Sequence, residues 1–292
     1  MFASVNFILK MIVCTNKSEI QDLITKEKAK GTTFGFVPTM GALHNGHMSL
    51  VKRALQENDF CVVSIFVNPT QFDNEEDLKK YPRTLERDVE LLKTVSNKII
   101  VYAPSVDDIY EGNTKSEHFS FDGLEFEMEG KFRQGHFDGV GTIVKRLFEI
   151  VTPDIAYFGE KDFQQLAIIK KLAQKYNIPV TVKGCEIFRE ENGLAYSSRN
   201  ERLKPDYKKA APFIFETLTT AKEKFGTKSA KEVTEWVEKQ FAKNKFLELE
   251  YFIIADISTL KTVKRKSKSK TYRAFVAAYA DDIRLIDNLA LN

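Results

Sequence analysis

Cysteine is scarce in this chain of 292 residues, and its three copies fall far apart, at Cys14, Cys61 and Cys185. None belongs to a closely spaced pair, so the sequence excludes a disulfide framework and offers no zinc-binding pattern. Each lies beside apolar residues, and Cys61 sits within a strand-like apolar run. We therefore expect three reduced, buried thiols, as in proteins of a reducing compartment.

Long apolar runs and a strong excess of one charge are also absent. No stretch approaches the roughly 18 apolar residues that a membrane helix needs. Residues 1–13 are mildly apolar, but the first charge is Lys10 and no small-residue cleavage site follows, which favours a cytoplasmic protein over an exported one. Met11 is an alternative start, because a strand-like run begins there. The net charge of +3 implies no general attraction to nucleic acid or membranes.

What the chain does have is a regular alternation of strand-like and helix-like segments. Apolar residues make up 43%, which suffices for one large domain or two of ordinary size. Residues 1–187 predict βαβ units and a parallel sheet, hence an α/β domain. The predicted strands are 11–14, 33–37 (ended by Pro38), 60–67, 98–102, 155–158 and 180–185. Helices are predicted from Gly46, with Asn45 as N-cap, and at 85–94, 140–151 and 163–176; 122–135 is a predicted loop or lid.

The pattern changes after about Phe188. Residues 188–292 contain two helical stretches, at 206–225 and 230–242, and then strand-like runs at 249–254, 272–279 and 283–286. Helices followed by consecutive strands predict a smaller α+β domain with an antiparallel sheet. The run 261–270 carries six lysines or arginines between two of these strands. A solvated hairpin loop is favoured there, with a nucleic-acid-binding patch as the alternative.

Two of the four histidines stand three residues apart, between a predicted strand and a predicted helix. The whole segment is Met40, Gly41, Ala42, Leu43, His44, Asn45, Gly46 and His47. A helix N-terminus offers free N–H groups to a phosphate, and imidazoles can donate to phosphoryl oxygens. Surface or capping roles for the two histidines stay open. The glycine spacing matches neither a P-loop nor a dinucleotide fingerprint.

Two further turns carry residue types suited to a triphosphate. After the strand at 155–158 come Gly159, Glu160, Lys161 and Asp162, where a lysine supplies a point charge and an aspartate can cap a helix or hold a ribose or metal. In a polar loop near the expected domain junction stand Ser197, Ser198 and Arg199, two hydroxyls and a guanidinium that together can clamp a phosphate. An ordinary turn and a common surface tripeptide are the respective alternatives.

One carboxylate and two amides complete the candidate set. Asp88, in the first turn of a predicted helix, is a candidate magnesium ligand, or simply an acid stabilised by the helix dipole. Gln71 and Gln165 each follow a strand of the predicted parallel sheet. Amides bind hydroxyls and carboxylates without adding net charge to an anionic site, although a glutamine without any role is the alternative for each.

Six short motifs occur in an order that resembles one family over nearly the whole chain. They are PTMGALHNGH at 38–47, FVNPTQF at 66–72, YPRT at 81–84, GHF at 135–137, GEKDFQQ at 159–165 and GLAYSSRN at 193–200. Together they resemble the pantothenate synthetase (pantoate–β-alanine ligase) family, within the nucleotidyltransferase superfamily that carries a His-x-Gly-His signature.

The resemblance implies a fold, a reaction and partners. The fold is a Rossmann-like amino-terminal domain, here 1–187, with a smaller carboxy-terminal lid domain, here 188–292, usually in a homodimer. The reaction has two steps: pantoate and ATP give enzyme-bound pantoyl-adenylate and pyrophosphate, and β-alanine then gives pantothenate and AMP. Magnesium is required. Neither nucleic acid nor membrane is an expected partner.

The resemblance also assigns roles to residues of this chain. His47 is the implied proton donor, and His44 and Lys161 share the stabilisation of the phosphates. The implied ATP site joins the whole segment 40–47 to Gly159, Glu160, Lys161, Asp162, Phe188, Tyr196, Ser197, Ser198 and Arg199. Gln71 and Gln165 would bind pantoate, Gln71 would also contact β-alanine, and Asp88 would bind the metal.

Three residues depart from the family pattern. Gln134 replaces a common proline before the GHF motif, and Phe188 and Tyr196 replace smaller or aliphatic residues, so adenine packing is expected to differ. Two other functions stay open: a nucleotidyltransferase that keeps the nucleotide in its product, and a nucleic-acid-binding module that uses the basic loop. The near-neutral total charge speaks against the second.

Overall fold

The computed structural model describes residues 11–72, 75–263 and 265–292. The expectations for residues 1–10, and for Lys264 in the basic loop, lie outside these ranges. All three cysteines are free thiols. Cys14 and Cys61 are buried as expected, whereas Cys185 is only half-buried, because it ends an edge strand. None of the helices in the described ranges combines the length and apolar character that a membrane span requires.

The predicted parallel sheet is confirmed. Its six strands lie in the order β1-β4-β3-β2-β5-β6, and every recorded pairing among them is parallel. The strands are β1 Ile12–Cys14, β2 Phe34–Thr39, β3 Phe60–Ile65, β4 Ile99–Tyr102, β5 Ile155–Gly159 and β6 Thr181–Cys185. Each lies within two residues of its predicted ends, because short apolar runs bounded by polar turns are a strong strand signal.

Helices surround this sheet. In chain order they are α1 Lys17–Lys28, α2 Asn45–Glu57, α3 Glu75–Lys80, α4 Leu85–Lys93, α5 Val106–Tyr110, α6 Glu129–Phe132, α7 His136–Val151 and α8 Phe163–Lys175. Short 3₁₀ turns occur at Pro69–Gln71, Leu124–Phe126 and Glu160–Asp162. The predicted loop at 122–135 therefore contains two short helical turns.

The chain reverses its direction of travel across the sheet at β2. From β2 it adds β3 and β4 on one side, whereas β5 and β6 lie on the other side. Ligands of open parallel sheets bind at such a switch point, outside the carboxyl ends of the strands. The histidine turn follows β2 and the lysine turn follows β5. The topology thus brings these two motifs to one place.

The prediction that Pro38 ends its strand is wrong. β2 continues to Thr39 and stays in register with β3, where Pro38 is opposite Ser64. On the other side, β5 pairs with β2 only at Gly35 and Phe36. The two strands have already separated at Pro38, so its missing N–H leaves no gap in that ladder. This separation opens a cleft between β2 and β5.

The smaller antiparallel sheet is also confirmed. It contains β7 Glu248–Asp256, β8 Tyr272–Ala280 and β9 Ile283–Ala290 in that order. The predicted division at 187/188 falls in the connection after β6. β9 extends four residues beyond its predicted end. The basic loop joins β7 to β8, as the hairpin interpretation predicts, and its Lys270 forms an ion pair of 2.7 Å with Asp256.

Three helices precede that sheet: α9 Pro205–Ala210, α10 Phe213–Thr227 and α11 Ala230–Phe241. The prediction of one continuous helix over 206–225 is therefore wrong, because the structure has two helices there. Pro212 cannot donate the next helical hydrogen bond, and it separates α9 from α10. α10 and α11 share a core with one face of the antiparallel sheet. Tyr251 and Phe275 pack instead with the core of the parallel sheet, so the small sheet bridges both cores.

Gly139 tests how closely α7 must approach the loop after β3. A Cβ at Gly139 would lie 2.3 Å from the carbonyl oxygen of Thr70, which is backbone and cannot rotate away. We expect Gly139→Ala to lower the free energy of unfolding by about 1–3 kcal/mol through overpacking. Gly226→Ala in α10 is the matched control, because nothing lies within 4 Å of the added Cβ. It should raise stability by about 0.5–1 kcal/mol. Equal effects in urea denaturation would contradict the close approach.

Candidate active site

A cleft of about 290 Å³ lies at the carboxyl ends of β2 and β5. It brings together most of the residues that the sequence predicts for the site. These are Met40, His44, Gly46, His47, Gln71, Gly159, Lys161, Asp162, Gln165, Phe188, Tyr196, Ser197, Ser198 and Arg199. Five other candidates (Gly41, Ala42, Leu43, Asn45 and Glu160) are absent from this lining and belong to the turns that carry it. Asp88 is also absent from it.

The turn between β2 and α2 has an unusual backbone. Gly41 has φ +83° and Ala42 has φ +50°, so two consecutive residues adopt the left-handed conformation. An L-residue such as Ala42 adopts this conformation only when surrounding contacts hold it there. The backbone N–H groups of Ala42 and Leu43 donate to the two carboxylate oxygens of Asp88, over 3.0 and 2.8 Å. Asp88 therefore fixes the turn from behind.

His44 caps helix α2, and the predicted N-cap at Asn45 is wrong by one residue. The Nδ1 atom of His44 accepts from the backbone N–H of Gly46 over 3.1 Å. A Cβ at Gly46 would lie 2.9 Å from the His44 ring, so the glycine of the motif is what lets the ring fold over it. Asn45, in contrast, is solvent-exposed.

The second histidine completes a reciprocal cap. The Nδ1 atom of His47 accepts from the backbone N–H of His44 over 3.3 Å. The ring centres of His44 and His47 are 4.0 Å apart. Because backbone N–H groups donate to Nδ1 in both rings, the neutral rings carry their hydrogens on Nε2. The spacing of three residues thus yields two adjacent imidazoles with the same tautomer.

Both imidazoles are neutral at rest. Burial and the charge of Lys161 lower the pKa of His44 to about 4. Burial, His44 and Lys161 lower the pKa of His47 to about 3. Near pH 7 each ring therefore acts as a hydrogen-bond donor through Nε2–H, and the nearby positive charge comes from Lys161.

Lys161 lies in a 3₁₀ turn between β5 and α8. The side chain of Asp162, the next residue, makes no capping hydrogen bond to α8 and is solvent-exposed on the cleft. Across the cleft, Ser197 Oγ accepts from the backbone N–H of Arg199 over 3.3 Å, which shapes the Ser-Ser-Arg turn. Lysine and arginine thus approach the cleft from opposite turns.

Aromatic rings form one wall of the cleft. Tyr196 stands 5.0 Å from the His44 ring, measured between ring centres, and Phe188 stands 5.9 Å from Tyr196. Phe188 is 41% exposed. These are two of the three positions where the sequence departs from the family pattern, and both rings line the cleft.

The two candidate glutamines differ in how they are held. Gln71 donates through Nε2 to the sulfur of Met40 over 3.2 Å and accepts through Oε1 from Asn68 over 3.1 Å. Gln165 lines the cleft. Its neighbour Gln164 is buried and bonds backbone groups of the 122–135 segment, including the N–H of Glu129 over 3.0 Å. Of these two adjacent glutamines, Gln164 is therefore structural and Gln165 lines the cleft.

A family model for pantoate–β-alanine ligase matches residues 12–290. The chain belongs to the pantoate–β-alanine ligase family. It is 60% identical to a pantothenate synthetase from Flavobacterium psychrophilum, over 96% of this chain and 100% of that protein. It is 57% identical to one from Christiangramia forsetii, over 97% of this chain and 100% of that protein. The resemblance carried by the six motifs is confirmed.

Solved structures of the ligase family have the same fold. A pantothenate synthetase from Thermus thermophilus matches with a TM-score of 0.87 at 39% identity, covering 96% of this chain and 99% of that one. A pantoate–β-alanine ligase from Francisella tularensis, complexed with β-γ ATP and β-alanine, matches with a TM-score of 0.77 at 34% identity. That match covers 97% of this chain and 98% of the Francisella chain.

Asp88 does not fit the magnesium role that the family resemblance implies. Its side chain is 1% exposed, and its oxygens accept from two backbone N–H groups and from Thr84 Oγ1. Magnesium keeps several waters and requires open octahedral geometry, which such a site cannot provide. Across 11–72, 75–263 and 265–292, no three His, Cys, Asp or Glu side chains gather as a metal site. Magnesium remains a prediction, and Asp88 is not assigned as its ligand.

Sequence reasoning missed a buried polar hub beneath Gln71. Asn68 is 1% exposed, accepts from Tyr110 Oη over 2.6 Å and donates to the carbonyl oxygen of Gly139 over 3.2 Å. His136 and Arg133 contact the carbonyl oxygen of Gln71 over 3.0 and 3.2 Å. The available signal was the position of Asn68, which directly follows the predicted strand at 60–67 and precedes a proline.

The apolar wall opposite the histidines was also missed as part of the site. Val140, Ile143, Val144 and Leu147 of α7 line the cleft, although all four are buried. Their helical stripe predicts core packing, and this prediction is confirmed for most of the helix. Only the position of α7 beside the separated strands shows that the same stripe faces the cleft.

Asp88→Asn separates the turn-holding role from the metal role. The new NH₂ group would face a backbone N–H, so we expect the free energy of unfolding to fall by about 1–3 kcal/mol. The loss should be the same in urea titrations with and without millimolar MgCl₂. Asp162→Asn is the control and should be nearly neutral. A loss seen only when Mg²⁺ is present would instead make Asp88 a metal ligand.

The protonation states of the four histidines can be measured by NMR titration. We expect His44 and His47 to remain neutral, as Nε2–H tautomers, from pH 8 down to pH 5. His118 is the internal control, because its hydrogen bond to the Asp138 carboxylate raises its pKa above the ordinary value. In the unfolded chain the imidazoles of His44 and His47 bind protons near pH 6.5, whereas in the folded protein they stay neutral. The free energy of unfolding should therefore fall as the pH falls below that value. Titration of His47 near pH 6.5 in the folded protein would contradict the assignment.

Proposed function

We propose that this chain condenses pantoate with β-alanine at the expense of ATP, through an enzyme-bound pantoyl-adenylate, to give pantothenate, AMP and pyrophosphate. Family membership supports the overall reaction. One observation carries the adenylate step. Two neutral Nε2–H donors, a lysine and two amides line a single cleft at the switch point of a parallel sheet.

The first step forms a bond between a pantoate carboxylate oxygen and the α-phosphorus of ATP, and pyrophosphate leaves. The carboxylate is already a nucleophile, so no strong base is needed. What the protein must supply is alignment and stabilisation of the charge that develops on the phosphoryl oxygens. In the proposal His44 and His47 donate to those oxygens, while Lys161 and Arg199 neutralise the leaving pyrophosphate. Both rings can donate through Nε2–H without first gaining a proton, because each Nδ1 already accepts from a backbone N–H.

The second step forms the amide. The amine of β-alanine attacks the acyl carbon, the C–O bond to the phosphate breaks, AMP leaves with that oxygen, and the amine loses its protons to solvent. Gln71 and Gln165 hold pantoate in the proposal, and Gln71 also contacts β-alanine. The Francisella structure is complexed with β-γ ATP and β-alanine, which supports the proposal that ATP and β-alanine are ligands of this cleft. The mixed anhydride must be kept from water, a task for the smaller domain as a lid.

Further parts of the family resemblance enter here as proposals. These are the homodimer, the cytoplasmic location, a magnesium ion brought in with ATP, and ATP contacts by the 40–47 and 159–162 segments, Phe188, Tyr196 and Ser197–Arg199. No step above depends on the magnesium ion. A nucleotidyltransferase that retains the nucleotide in its product is the second candidate, because the histidine signature serves both chemistries. Release of AMP only when pantoate and β-alanine are both supplied excludes it.

Single-turnover pyrophosphate release from ATP and pantoate, without β-alanine, measures the first step alone. We expect His47→Ala and Lys161→Ala each to slow it by about 10²–10³-fold, the scale for loss of one preorganised donor. His118→Ala, which removes an exposed histidine paired with Asp138, is the matched control and should leave the rate unchanged. Near-wild-type bursts in both site variants would refute these roles.

A further inference from the structure

The turn that carries Lys161 is held by the smaller domain. The carboxamide Nδ2 of Asn288, on β9, donates to the carbonyl oxygens of Glu160 and Lys161, each over 2.9 Å. β5 ends at Gly159, its last residue paired with β6, so this turn lies beyond the parallel sheet. The backbone on which the lysine stands is therefore fixed in part from the antiparallel sheet.

Asn288 is itself held rigidly. It is 2% exposed, and its Oδ1 accepts from Nη1 of Arg273 on β8. The other guanidinium nitrogen of Arg273 donates to the Glu160 carboxylate over 2.9 Å, and the guanidinium lies 4.2 Å from the Phe163 ring centre. One arginine thus orients the carboxamide and contacts the same turn. A half-buried, charge-assisted pair of this kind fixes geometry as well as adding attraction.

Docking of the small sheet does not itself require Asn288. Arg284 on β9 makes two hydrogen bonds to the Glu129 carboxylate, over 2.8 and 2.9 Å, and Tyr251 adds a third over 2.8 Å. These contacts join the antiparallel sheet to α6 and use no atom of the lysine turn. Loss of the Asn288 carboxamide would leave this second anchor in place. The Asn288 contact is thus specific to the segment that carries the lysine.

We propose that Asn288 is a positioning residue for Lys161, which makes the placement of the ammonium in the cleft conditional on contact with the antiparallel sheet. The proposal rests on the function proposed above. It implies that adenylate formation slows when the sheet is detached from the lysine turn, even though His44 and His47 remain in place. The small domain thereby takes part in the first chemical step as well as shielding the intermediate.

A double-mutant cycle on the pyrophosphate burst tests this. We expect Asn288→Ala to slow the burst by about 10–100-fold, as for a misplacement of about 1 Å. In a Lys161→Ala background, the same change should slow it less than about twofold, because the lysine it positions is gone. Asn292→Ala is the matched control: it removes a carboxamide that donates to the carbonyl oxygen of Lys270, and should leave the burst unchanged.

A second readout does not need the substrate. Lys161 lowers the pKa of both site histidines. Asn288→Ala should therefore raise the pKa of His44 in an NMR titration, in the direction that Lys161→Ala raises it, whereas Asn292→Ala should not. If wild-type protein releases no pyrophosphate with pantoate, the proposed function fails, and this titration still decides the role of Asn288.

Two results would overturn the proposal. Equal slowing by Asn288→Ala in both backgrounds, or an unchanged pKa of His44 in a folded variant, would reduce Asn288 to a structural contact. If Asn288→Ala fails to fold by circular dichroism, Asn288→Asp takes its place in the cycle. That variant removes the Nδ2 donor to the Glu160 and Lys161 carbonyl oxygens and keeps an oxygen acceptor for Arg273, and the same outcomes decide.

Discussion

The separation of β2 from β5 is the constraint on which the site depends. The two strands pair only at Gly35 and Phe36, then diverge at the point where the chain reverses its direction across the sheet. A parallel sheet leaves its carboxyl-end turns free of ladder bonds there, so the histidine and lysine turns face a common space. Asp88 holds the first turn through backbone N–H groups, and Asn288 holds the second through backbone carbonyls.

Electrostatics follow from this geometry. Burial disfavours a charged imidazole, and a lysine nearby disfavours it further, so the resting cleft holds one ammonium and two neutral donors. Such a cleft can bind an anion, and it avoids the repulsion that would arise if His44, His47 and Lys161 were all positively charged. The reciprocal cap of His44 and His47 uses both Nδ1 atoms on backbone N–H groups. The tautomer is therefore built into the first turn of α2, and the proposed adenylate step needs no reorganisation of either ring when phosphate charge develops.

Local patterns predicted the parallel strands and the clustering of the motifs, because burial on both faces leaves continuous apolar runs and strand ends meet at one edge. Patterns failed where a tertiary partner decides. From its position in the first turn of a helix, Asp88 is predicted to be a surface acid. It is buried instead, because its carboxylate oxygens accept from backbone N–H groups of the left-handed turn before α2. β9 was predicted to end before Asp287 and Asn288, since polar residues usually end a strand; Arg189 and the lysine turn satisfy them instead. No local signal carries those distant partners.

The central claim is that a pantoate carboxylate oxygen attacks the α-phosphorus of ATP in this cleft. Pantoate labelled with ¹⁸O in its carboxylate tests it directly, with mass spectrometry of the AMP formed in the presence of β-alanine. The account predicts AMP that carries one ¹⁸O atom per turnover, transferred from the carboxylate. Unlabelled AMP, or label recovered in inorganic phosphate, would contradict it.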